Sequence, residues 1–262
     1  MTRPVFIRSP LLPVRHGFFT REGGVSAALY GTLNGGLGTQ DRLDDVQENR
    51  RRMAAAVGVE LERFAALRQV HGVDVLVLRQ AGDVWSHTQG HEALPAGDAL
   101  VTDCADIALG VATADCAPVL LSSDDGRVVG AAHAGWRGAV GGVLEETVRQ
   151  MRLLGAEGLR AVVGPCIGPA SYEVGEDMRR AVLERHPEGE RFFGPAARAG
   201  HHQFDLPAFC LSRLAEEGVQ AEWTGHDTLA EERFFSHRRA TLHGDGRTGR
   251  QIAVIRAGLG AD

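Results

Sequence analysis

The sequence predicts an α+β fold in one domain spanning residues 1–262. Three observations carry this. Residues 110–139 (GVATADCAPVLLSSDDGRVVGAAHAGWRGA) hold two β-favouring runs, at 119–121 and 128–129, around a polar, Gly-containing connection at 122–126, which is a hairpin signature. Segments of helical period alternate with short strand-like runs on both sides of that hairpin. No repeat, low-complexity segment or clear linker divides the chain.

Taken in order, 5–38 is rich in Gly, Ser, Thr and aromatics, and HGFFTREGGVSAALYGTLNGGLG (16–38) reads as a short strand followed by a long, well-specified loop. A helix is expected over about 41–57, capped by Asp41, with Asp44 and Asp45 at its positive end and Gly58 stopping it. The stretches 67–71 and 73–79 are extended in pattern about a turn at Gly72, and 81–97 reads as a surface loop. Short strands at 98–102 and 107–112 lead into the hairpin. A helix over about 140–154 presents Leu144, Val148 and Met151 on one face, with Gly155 behind it. Then come a strand at 159–163 and the Gly/Pro-rich loop GPCIGPASYEVG (164–175). A third helix over 177–186 is stopped by Pro187, and a fourth over 205–217 tolerates Pro207 in its first turn. The end of the chain, 250–256, alternates as a final strand.

Composition narrows the function classes. The net charge of -6 argues against a general nucleic-acid binder, which would show a basic face. There is no lysine, so all 28 basic residues are arginine. That excludes a Schiff-base lysine, a pyridoxal-phosphate enzyme and a P-loop NTPase. Cys104, Cys116, Cys166 and Cys210 are widely spaced and form no Cys-x-x-Cys pair. Prolines and arginines interrupt MTRPVFIRSPLLPVRHG (1–17) where a signal peptide needs an unbroken apolar core, and no run approaches the roughly 18 apolar residues of a membrane span. The expectation is a cytoplasmic protein with reduced thiols and no membrane partner.

Cys116 lies just before the first hairpin run and His133 just after the second, so strand pairing brings thiol and imidazole to one end. Ala112, Ala114, Ala117, Ala131, Ala132, Ala134 and Gly135 leave room there for a ligand or a metal. Asp115, Trp136 and Arg137 bring a charge, a stacking face and an anion-binding fork to the same place. Of the 11 histidines, His87, His91, His186, His201, His202 and His243 sit in polar loops or at helix ends and are expected to be solvated. His71 differs, since it follows an apolar-flanked run and precedes Gly72, where the backbone can approach closely. His71, Cys116 and His133 form a borderline-soft donor set that suits zinc, and three protein ligands with a fourth position open is the pattern of a catalytic site. Copper, higher in the affinity order, is the alternative ion for the same donors.

RQVHG (68–72), GDALVTD (97–103), ATADCAPVLL (112–121), AAHAGWRGA (131–139) and GPCIGPASYEVG (164–175) together resemble the YfiH/YlmD-type family, also called the laccase-like or polyphenol-oxidase domain. HGFFTREGGVS near the start and FFSHRR…TGRQ near the end extend the match over nearly the whole chain. The resemblance implies a compact α/β sandwich with a mixed sheet, of the YfiH/cytotoxic-necrotizing-factor-like type, and zinc held by His71, Cys116 and His133. It also implies purine nucleoside chemistry: phosphorolysis of adenosine, inosine and methylthioadenosine, with deamination of adenosine. The partners implied are a nucleoside and inorganic phosphate. Arg68, Arg137, Arg238 and Arg239 are candidate phosphate clamps, because Arg binds oxyanions bidentately. Asp115 is a candidate general acid/base or ligand-orienting group, with backbone capping as its structural alternative. Asn34 matches a family-like Asn expected at the ribose. The family's C-terminal block often reads Cys-Thr and FFSYRR, where this chain has Trp223-Thr224 and His237, so no role of that Cys or Tyr is carried over. Cys104 and Cys166 are expected to be buried small hydrophobes.

Other readings compete. A copper phenol oxidase of the multicopper kind needs many histidines, and no His-x-His pair occurs. A cysteine hydrolase would use Cys116 as nucleophile and His133 as base. A non-catalytic zinc-stabilised interaction module would show a closed fourth ligand, for which the sequence offers no convincing candidate. The conventional zinc base-deaminase signature is absent, since His186-Pro187-Glu188 follows Pro165-Cys166 in the wrong order and lacks the second Cys.

Overall fold

Two mixed sheets packed face to face form the centre of the molecule, with helices on both outer faces. The structure is a computed structural model that describes residues 3–85 and 90–259. His87 and part of the expected 81–97 loop therefore fall outside the described residues. With elements numbered in chain order, the first sheet runs β1 (Phe6–Ile7), β2 (Val14–Phe19), β14 (Gln251–Leu259), β6 (Ala108–Thr113), β3 (Phe64–Ala65). The second runs β13 (Gln220–Trp223), β9 (Arg160–Val163), β7 (Ala117–Ser122), β8 (Val129–Ala134), β5 (Ala99–Thr102), β4 (Val75–Leu78). Pairing is parallel at β3–β6, β4–β5 and β9–β13 and antiparallel elsewhere in the two sheets. A small antiparallel sheet of β10 (Glu173–Gly175), β12 (His201–Phe204) and β11 (Phe193–Pro195) stands apart from them.

Side-chain alternation explains the layering. In β14, Ala253 and Ile255 meet the second sheet, while Ile252 and Val254 meet Met53 and Ala54 of α1 (Leu43–Ala56). In β7, Leu120 faces the first sheet. Val119 and Leu121 face the other way, onto α3 (Val143–Leu153) and α5 (Leu206–Glu216). Both faces of these strands are covered, so they read as unbroken apolar runs rather than alternating ones. Leu120 is fully buried between the sheets. Leu120→Ala is expected to cost about 2–5 kcal/mol, seen as a lowered Tm; an unchanged Tm would place Leu120 outside the core.

Several expected elements shift for identifiable reasons. Helix α1 begins at Leu43, because Asp41 is engaged elsewhere: its carboxylate accepts from Ser26 Oγ at 2.6 Å and Asn34 Nδ2 at 2.9 Å, tying down the preceding loop. The helix expected at 140–154 is broken in two at Gly142, which has φ 105°, giving α2 (Trp136–Gly141) and α3. Of 67–71, only Arg68 pairs, in a single parallel bridge to Ala96. Helix α4 (Glu176–Arg185) ends before Pro187, and α5 is capped by Asp205, which accepts from Ala208 N at 2.9 Å. The small sheet, β13 and α6 (His237–His243) were not foreseen. His186 is buried rather than solvated: Nε2 lies 3.0 Å from Val140 O and the ring packs edge-on against Phe209. Cys166 is buried as expected, whereas Cys104 is only half-buried at the edge of the inter-sheet core. No helix among the described residues is long and apolar enough to cross a membrane.

Candidate metal centre

The β7–β8 register pairs Pro118 with His133, so Cys116, two residues earlier, lies at the same end of the hairpin. His71 arrives from the connection between β3 and β4, where its φ of 60° is unusual for a non-glycine residue. Asp98, at the start of β5, holds that conformation. Its carboxylate accepts the backbone N–H groups of Val70 at 3.2 Å, His71 at 2.9 Å and Gly72 at 2.6 Å. It also binds His133 Nδ1 at 2.8 Å, and Asp98 O accepts from His133 N at 2.7 Å. One buried carboxylate thus fixes a loop histidine and a strand histidine relative to each other.

The outcome is a cluster in which one ligand atom each from His71, Cys116 and His133 lies within 4.8 Å of the others. Cys116 Sγ is 3.8 Å from His71 Nε2. Neighbouring N and S donors of a tetrahedral ion at ordinary bond lengths stand about 3.6 Å apart, so the set fits such an ion with little movement. With Nδ1 of His133 engaged by Asp98, Nε2 is the ring atom left for the ion, and a carboxylate behind a histidine ligand is the usual support. Gly135 is required here: a Cβ would lie 2.9 Å from His71 Cδ2 and 3.1 Å from Cys116 Sγ. Burial raises the Cys116 thiol, but His133 and His71 outweigh it and bring the pKa down to about 6. Burial lowers the His133 imidazole, but the Cys116 thiolate and Asp98 outweigh it and raise the pKa to about 9. The protein thus prepares the deprotonated thiol that a metal requires.

A cavity of about 380 Å³ adjoins the cluster, extending from His71, Cys116 and His133 to Arg50 and Arg250 along residues 35–39. This is within the size range of small-ligand sites, roughly 300–1,000 Å³. His91, expected to be solvated, lies on its wall, as does His237 from the start of α6. Among the described residues, no carboxylate lines it. Arg50 is 2% exposed, donates from Nη1 to Gly35 O at 2.8 Å and stacks 4.6 Å from the Phe64 ring centroid. Its Nε and Nη2 are buried without an acceptor, and burial pushes its pKa down to about 9. Arg250 donates from Nη1 to Thr248 O and Gly249 O, and burial lowers its pKa too.

Ala112 and Ala114 line the cavity, whereas Asp115, Asn34, Arg68, Arg137, Arg238 and Arg239 do not. Asp115, with φ 86°, accepts from Thr228 Oγ1 at 2.7 Å and from Arg238 N at 2.6 Å, docking α6 onto the hairpin. That is the capping alternative. Asn34 is fully buried and its amide is fully used: Nδ2 donates to Thr39 and Asp41, and Oδ1 accepts from Gly36 N and Arg250 N. It shapes the loop instead of reaching into the cavity. Arg137 is exposed and stacks on Trp136, 4.5 Å from the ring centroid. Arg238 donates to Glu173 O and lies over Tyr172. Arg239 is spent on the carbonyls of Thr228, Leu229, Glu231 and Phe234. Arg68 is half-buried. The sequence reading missed Asp98 and the two cavity arginines. Arg50 sits four residues after Val46 and three before Met53, on the buried face of α1.

This chain is similar to known proteins and solved structures over nearly its whole length. A purine nucleoside phosphorylase of Deinococcus radiodurans is 43% identical over 97% of this chain and 94% of its own length. A purine nucleoside phosphorylase of Corynebacterium glutamicum is 37% identical over 93% of this chain and 94% of its own. The crystal structure of the hypothetical protein YfiH of Bacillus licheniformis superposes with a TM-score of 0.88 at 29% identity, covering 98% of this chain and 97% of that one. The model of the family described as multi-copper polyphenol oxidoreductase laccase matches residues 15–258, and this chain belongs to that YfiH-type, laccase-like family.

Proposed function

We propose that this chain is a zinc-dependent purine nucleoside enzyme. In this reading it cleaves adenosine, inosine and methylthioadenosine with phosphate to the free base and (methylthio)ribose 1-phosphate, and deaminates adenosine. The observation that carries the reading is the contiguity of the His71/Cys116/His133 donor set with a nucleoside-sized cavity walled by arginines and free of carboxylates among the described residues. The names of the Deinococcus and Corynebacterium relatives support the phosphorylase half. The four unpaired cysteines agree with a cytoplasmic setting.

His71, Cys116 and His133 would hold the zinc, which when bound supplies a Lewis acid next to the cavity. Asp98 orients His133. The arginines at the far end favour an anionic co-substrate. In phosphorolysis a phosphate oxygen bonds to C1′ while the C1′–N bond breaks, and the purine leaves with the electron pair and takes up a proton.

Product analysis of purified protein tests this. Adenosine is expected to give adenine and ribose 1-phosphate only when phosphate is present, and inosine without it. No free base or sugar 1-phosphate from adenosine, inosine or methylthioadenosine with phosphate, and no inosine from adenosine without it, would overturn the reading. The same preparation given a phenolic substrate tests the oxidase chemistry in the family description; the described residues bring together one group of three such ligands, where a multicopper oxidase needs several centres. A second reading has its own support, since Asp98, His133 and Cys116 stand in the order orienter, base, nucleophile. It requires metal-free, phosphate-independent hydrolysis that iodoacetamide abolishes.

A further inference from the structure

We infer that the phosphate of the proposed reaction binds at the Arg50–Arg250 end of the cavity, against the backbone of Gly35 and Gly36; the assignment rests on the phosphorylase reading. Arg50 is 2% exposed and makes no ion pair among the described residues, whereas the partly buried Arg213 is matched by Glu145, Glu188 and Glu216. Its Nε and Nη2 carry three N–H groups with no acceptor. A buried guanidinium without a counter-charge is costly. The cavity it borders holds a second arginine and no carboxylate among the described residues, in a chain of net charge -6. The missing counter-charge is therefore the ligand's.

The two arginines are built into one unit. Gly35 donates its N–H to Arg250 O at 2.9 Å and accepts from Arg50 Nη1 at 2.8 Å, so a single residue links them. Asn34 Oδ1 accepts the N–H of Arg250 at 2.9 Å and that of Gly36 at 3.0 Å, which makes Asn34 a positioning residue for the anion rather than a ribose contact. No side chain fits at either glycine: a Cβ on Gly35 would lie 2.4 Å from Ile252 Cγ1, and one on Gly36 2.8 Å from Arg250 Cγ. The backbone itself forms that wall. Arg68, Arg137, Arg238 and Arg239 do not line the cavity.

The test reads phosphate binding first, without nucleoside. Inorganic phosphate, titrated at constant ionic strength with chloride as the balancing anion, is expected to raise the Tm of the wild-type metalloprotein saturably. The apparent Kd for phosphate should rise by at least about tenfold in Arg50→Gln and in Arg250→Gln. The surface variant Arg127→Gln should keep the wild-type Kd. In turnover, KM for phosphate should rise similarly while KM for inosine stays within about twofold. If Arg50→Gln does not fold, Arg250→Gln and the charge-preserving Arg50→Lys carry the test, the latter expected to retain measurable phosphate binding. A wild-type phosphate Kd in Arg50→Gln and Arg250→Gln, or no saturable effect of phosphate on the wild type, overturns the assignment. If phosphate binding depends on both arginines and yet no ribose 1-phosphate forms, the anion subsite stands and the phosphorylase reading falls.

Discussion

Cys116→Ala is expected to lower nucleoside turnover by at least about 10³-fold, several kcal/mol of transition-state stabilisation, while leaving the fold intact. Bound zinc should fall from one per chain to well below that. The fold survives because Cys116 is half-buried at the cavity edge and its neighbours Ala114 and Ala117 already pack as methyl groups. Cys210→Ala is the contrasting variant. Burial, with Glu145 and Asp205 nearby, pushes the Cys210 thiol well above its ordinary range, so it is an uncharged packing group of α5. It should cost stability and keep both metal and activity. Metal analysis, circular dichroism and turnover on the two variants check both halves; full activity in Cys116→Ala would remove the thiol from the site.

Asp98→Ala should be the most destabilising single change at the site. It strips the acceptor from three backbone N–H groups and leaves His133 unpaired in a buried position. Breaking a buried charged pair from one side costs about 3–5 kcal/mol, roughly a 10 °C fall in Tm for a chain of this size. Asp98→Asn keeps the shape and one acceptor oxygen, so it should lose less stability and still weaken zinc binding by about 10–100-fold. Burial raises the Asp98 carboxyl, but the His133 contact and the Gly72 N–H prevail and hold it below the usual carboxylate range. It is therefore the ionised partner at neutral pH, and Asn cannot replace that charge. Unchanged Tm and zinc affinity in Asp98→Ala would deny it any part in holding the two histidines.

The central hairpin was legible because its apolar runs and Gly126 turn are local, and pairing alone carries Cys116 and His133 to one end. The helices were legible from period and stops, less so where a single glycine such as Gly142 reverses the backbone. Contacts made at long range left weaker marks. Asp41 has the spacing of a helix cap but is recruited by Ser26 and Asn34. Asp98 sits in the GDALVTD block (97–103), yet nothing local reveals that it receives a loop 26 to 28 residues away. Arg50 hid in a run of three arginines, where charge suggests solvent and only the helical phase places it inward. Arg137 and Arg238 drew attention by lying next to conspicuous motifs, but their side chains turn to Trp136 and Tyr172.

Metal removal and restoration measure the central claim most directly. Purified protein is stripped with a chelator, then titrated with zinc while bound metal and phosphate-dependent formation of ribose 1-phosphate from inosine are followed together. Activity is expected to vanish on stripping, return in proportion to zinc and saturate at one ion per chain, with no return in His71→Ala. Phosphorolysis that persists in the stripped protein, or that returns equally in His71→Ala, would contradict a metal centre at His71, Cys116 and His133.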